Sequence, residues 1–151
     1  MSDCHIMLFL LSFLSQSRIQ HSIPTRIRKD RVAYANSGSS IVSYAESKLG
    51  CDYVYGATGP NTFDCSGLVQ WAHKKAGINV PRVSRDQASS GQAVSYNNLQ
   101  PGDCVFFGSP VRHAGIYVGN GQYIHAPQTG DVVKYSKLSS RKDFNCARRY
   151  W

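Results

Sequence analysis

The spacing of apolar residues changes along the chain at Gly102. Before this residue, apolar side chains recur at helical spacing, and after it short apolar runs alternate with Pro, Gly and Asn. Helices followed by short strands are typical of an α+β fold. Three helices are predicted. The first has an apolar face from Ile41 to Leu49, the second spans Cys65–Ala76, and the third begins with a capping box at Ser84. The predicted strands are Val105–Phe107, Gly115–Val118, Gln122–His125, Val132–Tyr135 and Cys146–Tyr150.

The first 38 residues differ in kind from the rest. Residues 6–14 form an apolar run that resembles a secretory signal but lacks a preceding Lys or Arg, and it is too short to span a bilayer. It could equally be an apolar helix or strand packed on the domain. Residues 18–36 are basic, and residues 37–40 have the composition of a linker that ends in a helix cap. We predict an N-terminal extension, residues 1–38, that is a signal sequence or a pro-segment, and one domain over residues 39–151.

The chain has a formal net charge of +8, and both parts contribute to it. A basic chain attracts polyanions in general, so nucleic acid, anionic lipid and bacterial envelope all remain compatible with the charge. The sequence contains no recognition-helix pattern, no zinc-finger spacing and no aromatic run of the RNA-binding kind. We therefore expect no nucleic-acid partner.

The five cysteines form no CxxC pair and are odd in number. This count favours at least one free thiol and argues against a disulfide framework. Cys104 lies inside an apolar run and is most simply a small buried residue.

Cys65 opens a predicted helix directly after Asp64, a residue type that often caps helix N-termini. Unpaired N–H groups at a helix N-terminus favour negative charge and so help a thiol to become a nucleophilic thiolate. The simpler interpretation is a buried structural cysteine.

A cysteine nucleophile needs a base, and three histidines follow Cys65 in the chain. His73 is predicted to be a solvated surface residue of the Cys65 helix. His113 and His125 flank a hairpin turn at Gly119-Asn120-Gly121. An odd-length loop centred on Asn120 places both imidazoles on one face, where the second can orient the first; a two-residue loop places them on opposite faces. Two unrelated histidines near strand ends are the alternative.

Several ordered motifs resemble the NlpC-type peptidase family. The motifs are Asp52–Pro60, Phe63–Val69, Pro81–Ser84 with Gln87, Leu99–Asp103, Val105–Phe107, His113–Gly121 and Ile124–Pro127. They cover nearly all of residues 39–151. The chain departs from the family at Gly56-Ala57, where Gly-Gly is usual, and at Cys51 and Cys104; none of these departures removes a predicted catalytic group.

The resemblance implies a papain-like fold, with N-terminal helices packed on an antiparallel sheet of five or six strands. It implies Cys65 as nucleophile, His113 as base and His125 as orienting partner. It also implies a pocket for the stem peptides of bacterial peptidoglycan, formed by Tyr53, Asp64, Ser66, Arg82 and Ser84. The expected reaction is hydrolysis of the bond between D-glutamate and the following diamino acid. We expect no cofactor, no metal and no stable membrane insertion, and a monomer that is secreted or held in the cell envelope.

Two alternatives stay open, and a third is excluded. The same fold could carry out amidase or transpeptidase chemistry. The chain could be a latent wall-binding protein, held inactive by residues 1–38. A zinc site made by Cys65, His113 and His125 fails on ligand spacing and lacks a fourth ligand.

Overall fold

The computed structural model describes residues 37–151, which form helices and a large sheet. The helices are residues 37–46 (α1), Cys65–Lys75 (α2) and Ser84–Ala88 (α3), with 3₁₀ turns at Tyr96–Asn98 and Leu138–Ser140. The strands are β1 (Asp52–Tyr53), β2 (Thr62–Phe63), β3 (Gln92–Val94), β4 (Cys104–Phe107), β5 (His113–Gly119), β6 (Gln122–His125), β7 (Lys134–Lys137) and β8 (Phe144–Arg149). None of the described helices is long and apolar enough to cross a membrane.

Six strands form one sheet in the order β3-β8-β4-β5-β6-β7, and every neighbouring pair is antiparallel. β1 and β2 make a separate short parallel pair. The predicted α+β arrangement is therefore confirmed, and the sheet reaches the larger of the two predicted sizes. Sequence patterns missed β1, β2 and β3, because strands of two or three residues are too short to show alternation.

The core lies between α2 and the central strands. Leu68, Val69 and Ala72 of α2 are fully buried, in one cluster with Ala114 and Ile116 of β5. Leu68 and Val69 are adjacent and Ala72 follows at helical spacing, so they form the inner stripe of the helix. This packing sets α2 against β5 and so brings the start of the helix close to the start of that strand.

Two predicted boundaries are wrong. Residues 37–40 are helical rather than a linker, and a side chain at Gly38 would meet the Pro101 carbonyl oxygen at 2.6 Å. Ser84 does not cap α3: Val83 is the N-cap and makes no side-chain cap bond. Gln87 instead turns inward and donates to the carbonyl oxygens of Ser66 and Pro81. Residues 1–36, with the predicted signal-like run, lie outside the described residues, so the extension stays a prediction.

The prediction that His73 is exposed is wrong, because its side chain is fully buried. Four residues after Val69, it lies on the inner face of α2. Its Nδ1 is 2.8 Å from the Val69 carbonyl oxygen and its Nε2 is 3.6 Å from Cys104 Sγ. Nδ1–H can thus donate to the carbonyl while Nε2 accepts from the Cys104 thiol, which is fully buried as predicted.

The prediction of at least one free thiol is confirmed, although Cys51 is disulfide-bonded. Cys65, Cys104 and Cys146 have free thiols. An odd count rules out complete pairing of cysteines, but it does not rule out a single bridge.

We predict that His73 makes the fold sensitive to acid. Burial lowers its pKa from 6.5 to about 4, so between these pH values His73 is protonated in the unfolded chain and neutral in the folded chain. The resulting stability is present above pH 6.5 and is lost as the pH falls toward 4, on the order of 3 kcal/mol in total. Between pH 7 and pH 4 the free energy of unfolding, measured by urea denaturation, should fall by about 3 kcal/mol less in His73→Gln than in the unsubstituted chain. An identical pH dependence in both proteins would contradict this prediction.

Candidate active site

Cys65 is the first residue of α2, and Asp64 is its N-cap. The Asp64 Oδ1 accepts a hydrogen bond from the Gly67 backbone N–H at 2.6 Å. At Gly67 a Cβ would lie 2.1 Å from the Ala57 carbonyl oxygen, so only glycine lets the preceding loop pack here. The predicted cap is confirmed, and it holds the Cys65 sulfur at the positive end of the helix.

The Asp64 carboxylate is also bound by Arg82. Arg82 donates to both carboxylate oxygens, at 3.1 and 2.7 Å, and to the Ser66 hydroxyl at 2.8 Å. The Gly56 N–H donates to Asp64 Oδ2 at 3.0 Å. Three residues predicted to bind substrate are therefore bonded to one another, and the charge of Asp64 is compensated within the protein.

A cavity of about 360 Å³ opens above Cys65. All five residues predicted to bind substrate line it: Tyr53, Asp64, Ser66, Arg82 and Ser84. The structure adds Tyr55, Val83 and Arg112 to the lining. Sequence reasoning missed these three because they carry no chemical signature of their own. A larger cavity beside β3, of about 510 Å³, is lined by neither a cysteine nor a histidine.

The hairpin of β5 and β6 places His113 and His125 on one face, as predicted for an odd-length loop, although its loop has an even number of residues. Its turn is the two-residue type, since Gly119 pairs with Gln122 across Asn120 and Gly121. A bulge between Tyr117 and Gly119 then shifts the register, so that Ile116 pairs with Ile124. By continuation His125 lies opposite Gly115. The bulge adds the residue that the predicted odd-length loop was expected to supply.

The two imidazoles are hydrogen-bonded to each other and to a serine. His113 Nε2 lies 2.7 Å from His125 Nδ1, and His125 Nε2 lies 2.8 Å from the Ser136 hydroxyl on β7. Both rings are nearly inaccessible to solvent. If each ring carries its hydrogen on Nε2, the bonds run in one direction and His113 Nδ1 keeps a free lone pair. Sequence reasoning missed Ser136, because only the register of β7 brings it to His125.

Burial keeps both histidines neutral at pH 7. It lowers the pKa of His113 to about 4, with Arg141 nearby as a further cause, and that of His125 to about 3, with His113 as the next cause. A neutral imidazole can accept a proton, whereas an imidazolium cannot.

Burial raises the pKa of the Cys65 thiol, and the backbone N–H of Ala114 opposes this rise by hydrogen bonding to the sulfur. Ala114 follows His113 directly in β5, so the sulfur lies beside the start of that strand. Cys65 and His113 line different cavities, and Arg112 lines both. Within residues 37–151 no group of three or more His, Cys, Asp or Glu could hold a metal ion.

A family model described as NlpC/P60 matches residues 50–149. The chain belongs to the NlpC/P60 family. Its fold is accordingly the papain-like fold of this family, as the resemblance implied. The match begins one residue before Cys51 and ends at the last residue of β8, so it includes every predicted site residue of this NlpC/P60 domain.

Relatives of this NlpC/P60 chain are found among curated proteins and solved structures. A protein named "Probable endopeptidase" from Corynebacterium glutamicum is 51% identical over 92 residues, which are 61% of this chain and 44% of that protein. NlpC2 from Trichomonas vaginalis superposes with a TM-score of 0.73 at 42% identity, over 78% of this chain and 47% of that chain. The peptidoglycan hydrolase RipB from Mycobacterium tuberculosis gives a TM-score of 0.71 at 25% identity, over 97% of this chain and 78% of that chain. The chain spans less than half the length of the curated relatives that it matches.

We predict that nitrogen-15 NMR of labelled histidine at pH 7 shows His113 and His125 neutral, both with the hydrogen on Nε2. The buried hydrogen-bonded chain favours this state, and His113 should titrate near pH 4. Ser136→Ala should let His125 exchange between tautomers, while Ser140→Ala, a nearby serine outside the chain of bonds, should not. A protonated His113 at pH 7 would reveal an ion pair with Cys65 and contradict this assignment.

Proposed function

We propose that this domain is a cysteine endopeptidase that hydrolyses peptidoglycan stem peptides between D-glutamate and the following diamino acid. The observation that carries the proposal is the position of the Cys65 sulfur, at a capped helix N-terminus and against the N–H of the residue after His113. A nucleophile, a neutral base and an orienting partner are the parts that acyl transfer requires.

In the first step His113 Nδ1 takes the proton of the Cys65 thiol, and the sulfur attacks the amide carbonyl carbon. The oxyanion is stabilised by the backbone N–H of Cys65, which at the start of α2 has no partner within the helix. Tyr53 lies close to Cys65, and burial, followed by the charge of Cys65, raises the pKa of its phenol. The phenol therefore stays protonated and can donate to the same oxyanion.

In the second step the intermediate collapses and the C–N bond breaks. The His113 imidazolium gives its proton to the leaving amine, and a thioester remains on Cys65. Water, deprotonated by His113, then attacks the thioester and releases the acyl half as a carboxylic acid. His125 stays bonded to His113 Nε2 and holds the ring through both proton transfers.

Two observations support the proposed substrate: the similarity of this chain to its relatives, and the polar and charged lining of the cavity above Cys65. RipB is named a peptidoglycan hydrolase, and the resemblance of the motifs implies the same class of substrate here. Stem peptides carry both amines and carboxylates, which the polar cavity above Cys65 can bind. Because Arg82 occupies both oxygens of Asp64, neutral hydroxyls such as that of Ser84 are the open acceptors for a stem-peptide amine.

Amidase or transpeptidase chemistry on the same fold would give different products, which mass spectrometry of muropeptides separates. A latent wall-binding protein would instead release no fragments at all. For that case iodoacetamide labelling of Cys65, with and without residues 1–36, which precede α1, separates an open cleft from an occluded one. We further propose that the protein acts as a monomer, at the cell envelope or outside the cell.

Cys65→Ala and His113→Ala should each lower fragment release from purified peptidoglycan at least about a thousandfold, because the nucleophile and its base act as one unit. The readout is chromatography of the products with mass identification. Cys146→Ala is the matched control, since that thiol is free and half-buried but lies outside both cavities that flank the site. Undiminished release by Cys65→Ala, or cleavage of a different bond, would contradict the proposal.

A further inference from the structure

A second cavity, of about 490 Å³, lies on the histidine side of the site. One wall holds both histidines and Ser136, and three cations also line the cavity: Arg112, Lys134 and Arg141. Arg112 is the residue that this cavity shares with the one above Cys65. Both cavities therefore border Arg112, the chain neighbour of His113.

The proton transfers decide which half of a substrate enters each cavity. The acyl half becomes bonded to Cys65, so it occupies the Cys65 cavity. The amine half receives its proton from His113, so it leaves on the histidine side. The second cavity thus faces the amine half, which in a stem peptide begins with the diamino acid.

The three cations of this cavity are paired to different extents. Arg141 donates to both oxygens of Asp143, at 2.8 and 2.9 Å, and lies over the ring of Phe107. Lys134 pairs with Asp131 at 2.8 Å. Arg112 reaches Asp143 only at 3.4 Å, on an oxygen that Arg141 already uses, and its side chain is 68% exposed. Two arginines share one carboxylate, so the group carries a net positive charge that Arg112 presents to both cavities.

We propose that Arg112 binds a carboxylate of the amine half, and that the enzyme therefore prefers a diamino acid with a second carboxylate, diaminopimelate, over lysine. The inference rests on the proposed function and names the substrate within it. A guanidinium fork matches a carboxylate in shape and charge. Both side chains end in an ammonium group, but only that of diaminopimelate also carries a carboxylate, so a lysine side chain would bring an uncompensated positive charge toward Arg112.

The test uses two stem tetrapeptides that differ only in diaminopimelate or lysine at the third position, so that every other carboxylate is shared. The readout is the ratio of their kcat/KM values. We expect the full chain to favour diaminopimelate about tenfold, the size expected for one partly exposed charged contact. Arg112→Gln should bring the ratio close to one, and Arg112→Lys should restore part of it. Lys142→Gln, which removes the same charge from an exposed residue outside the cavity, should leave the ratio unchanged.

Three results would overturn the inference. The full chain could show equal rates for both peptides, or Arg112→Gln could lower both rates by the same factor. The effect of Arg112→Gln could also disappear when the α-carboxylate of D-glutamate is amidated, which would place its ligand on the acyl half. Cleavage of neither peptide between D-glutamate and the diamino acid would instead refute the proposed function, and this inference with it.

Discussion

The carboxylate of Asp64 joins the parts of the chain on which the site depends. It caps α2 through the Gly67 N–H, binds the preceding loop through the Gly56 N–H, and forms a two-point ion pair with Arg82. A capping carboxylate typically stabilises a helix by about 1 kcal/mol, and here it also fixes the direction in which the helix begins. Since Cys65 is the next residue, the position of its sulfur follows from these bonds. The proposed nucleophile is thereby held by contacts that also stabilise the fold.

The opposite side of the site depends on the hairpin of β5 and β6. Its two-residue turn alone would place His113 and His125 on opposite faces, and the bulge beside Gly119 reverses that outcome. Burial then keeps the rings neutral, and the bonds to each other and to Ser136 give each ring one orientation. A single inserted residue in β5 thus brings the two histidines into contact, as the proposed base and its orienting partner require.

Local signals allowed much of this arrangement to be predicted from the sequence. The start of α2 follows from Asp64 and the position of the hairpin turn from Gly119-Asn120-Gly121, because caps and tight turns depend on a few neighbouring residues. The burial of His73 was missed although it follows Val69 by four residues and so shares the apolar stripe of α2, because histidine is a residue type that is less often fully buried. The positions of Ser136 and Arg112 in the site depend on contacts between distant segments, which no local pattern encodes.

The proposed mechanism requires that the Cys65 thiolate become covalently bonded to the acyl half of its substrate. Turnover of a stem peptide can be stopped with acid within milliseconds to seconds, and the digested protein analysed by mass spectrometry. A hydroxylamine-sensitive adduct with the mass of the acyl half is expected on the fragment that contains Cys65. Continued turnover with an adduct on a different residue, or with no adduct on Cys65 at any time point, would contradict it.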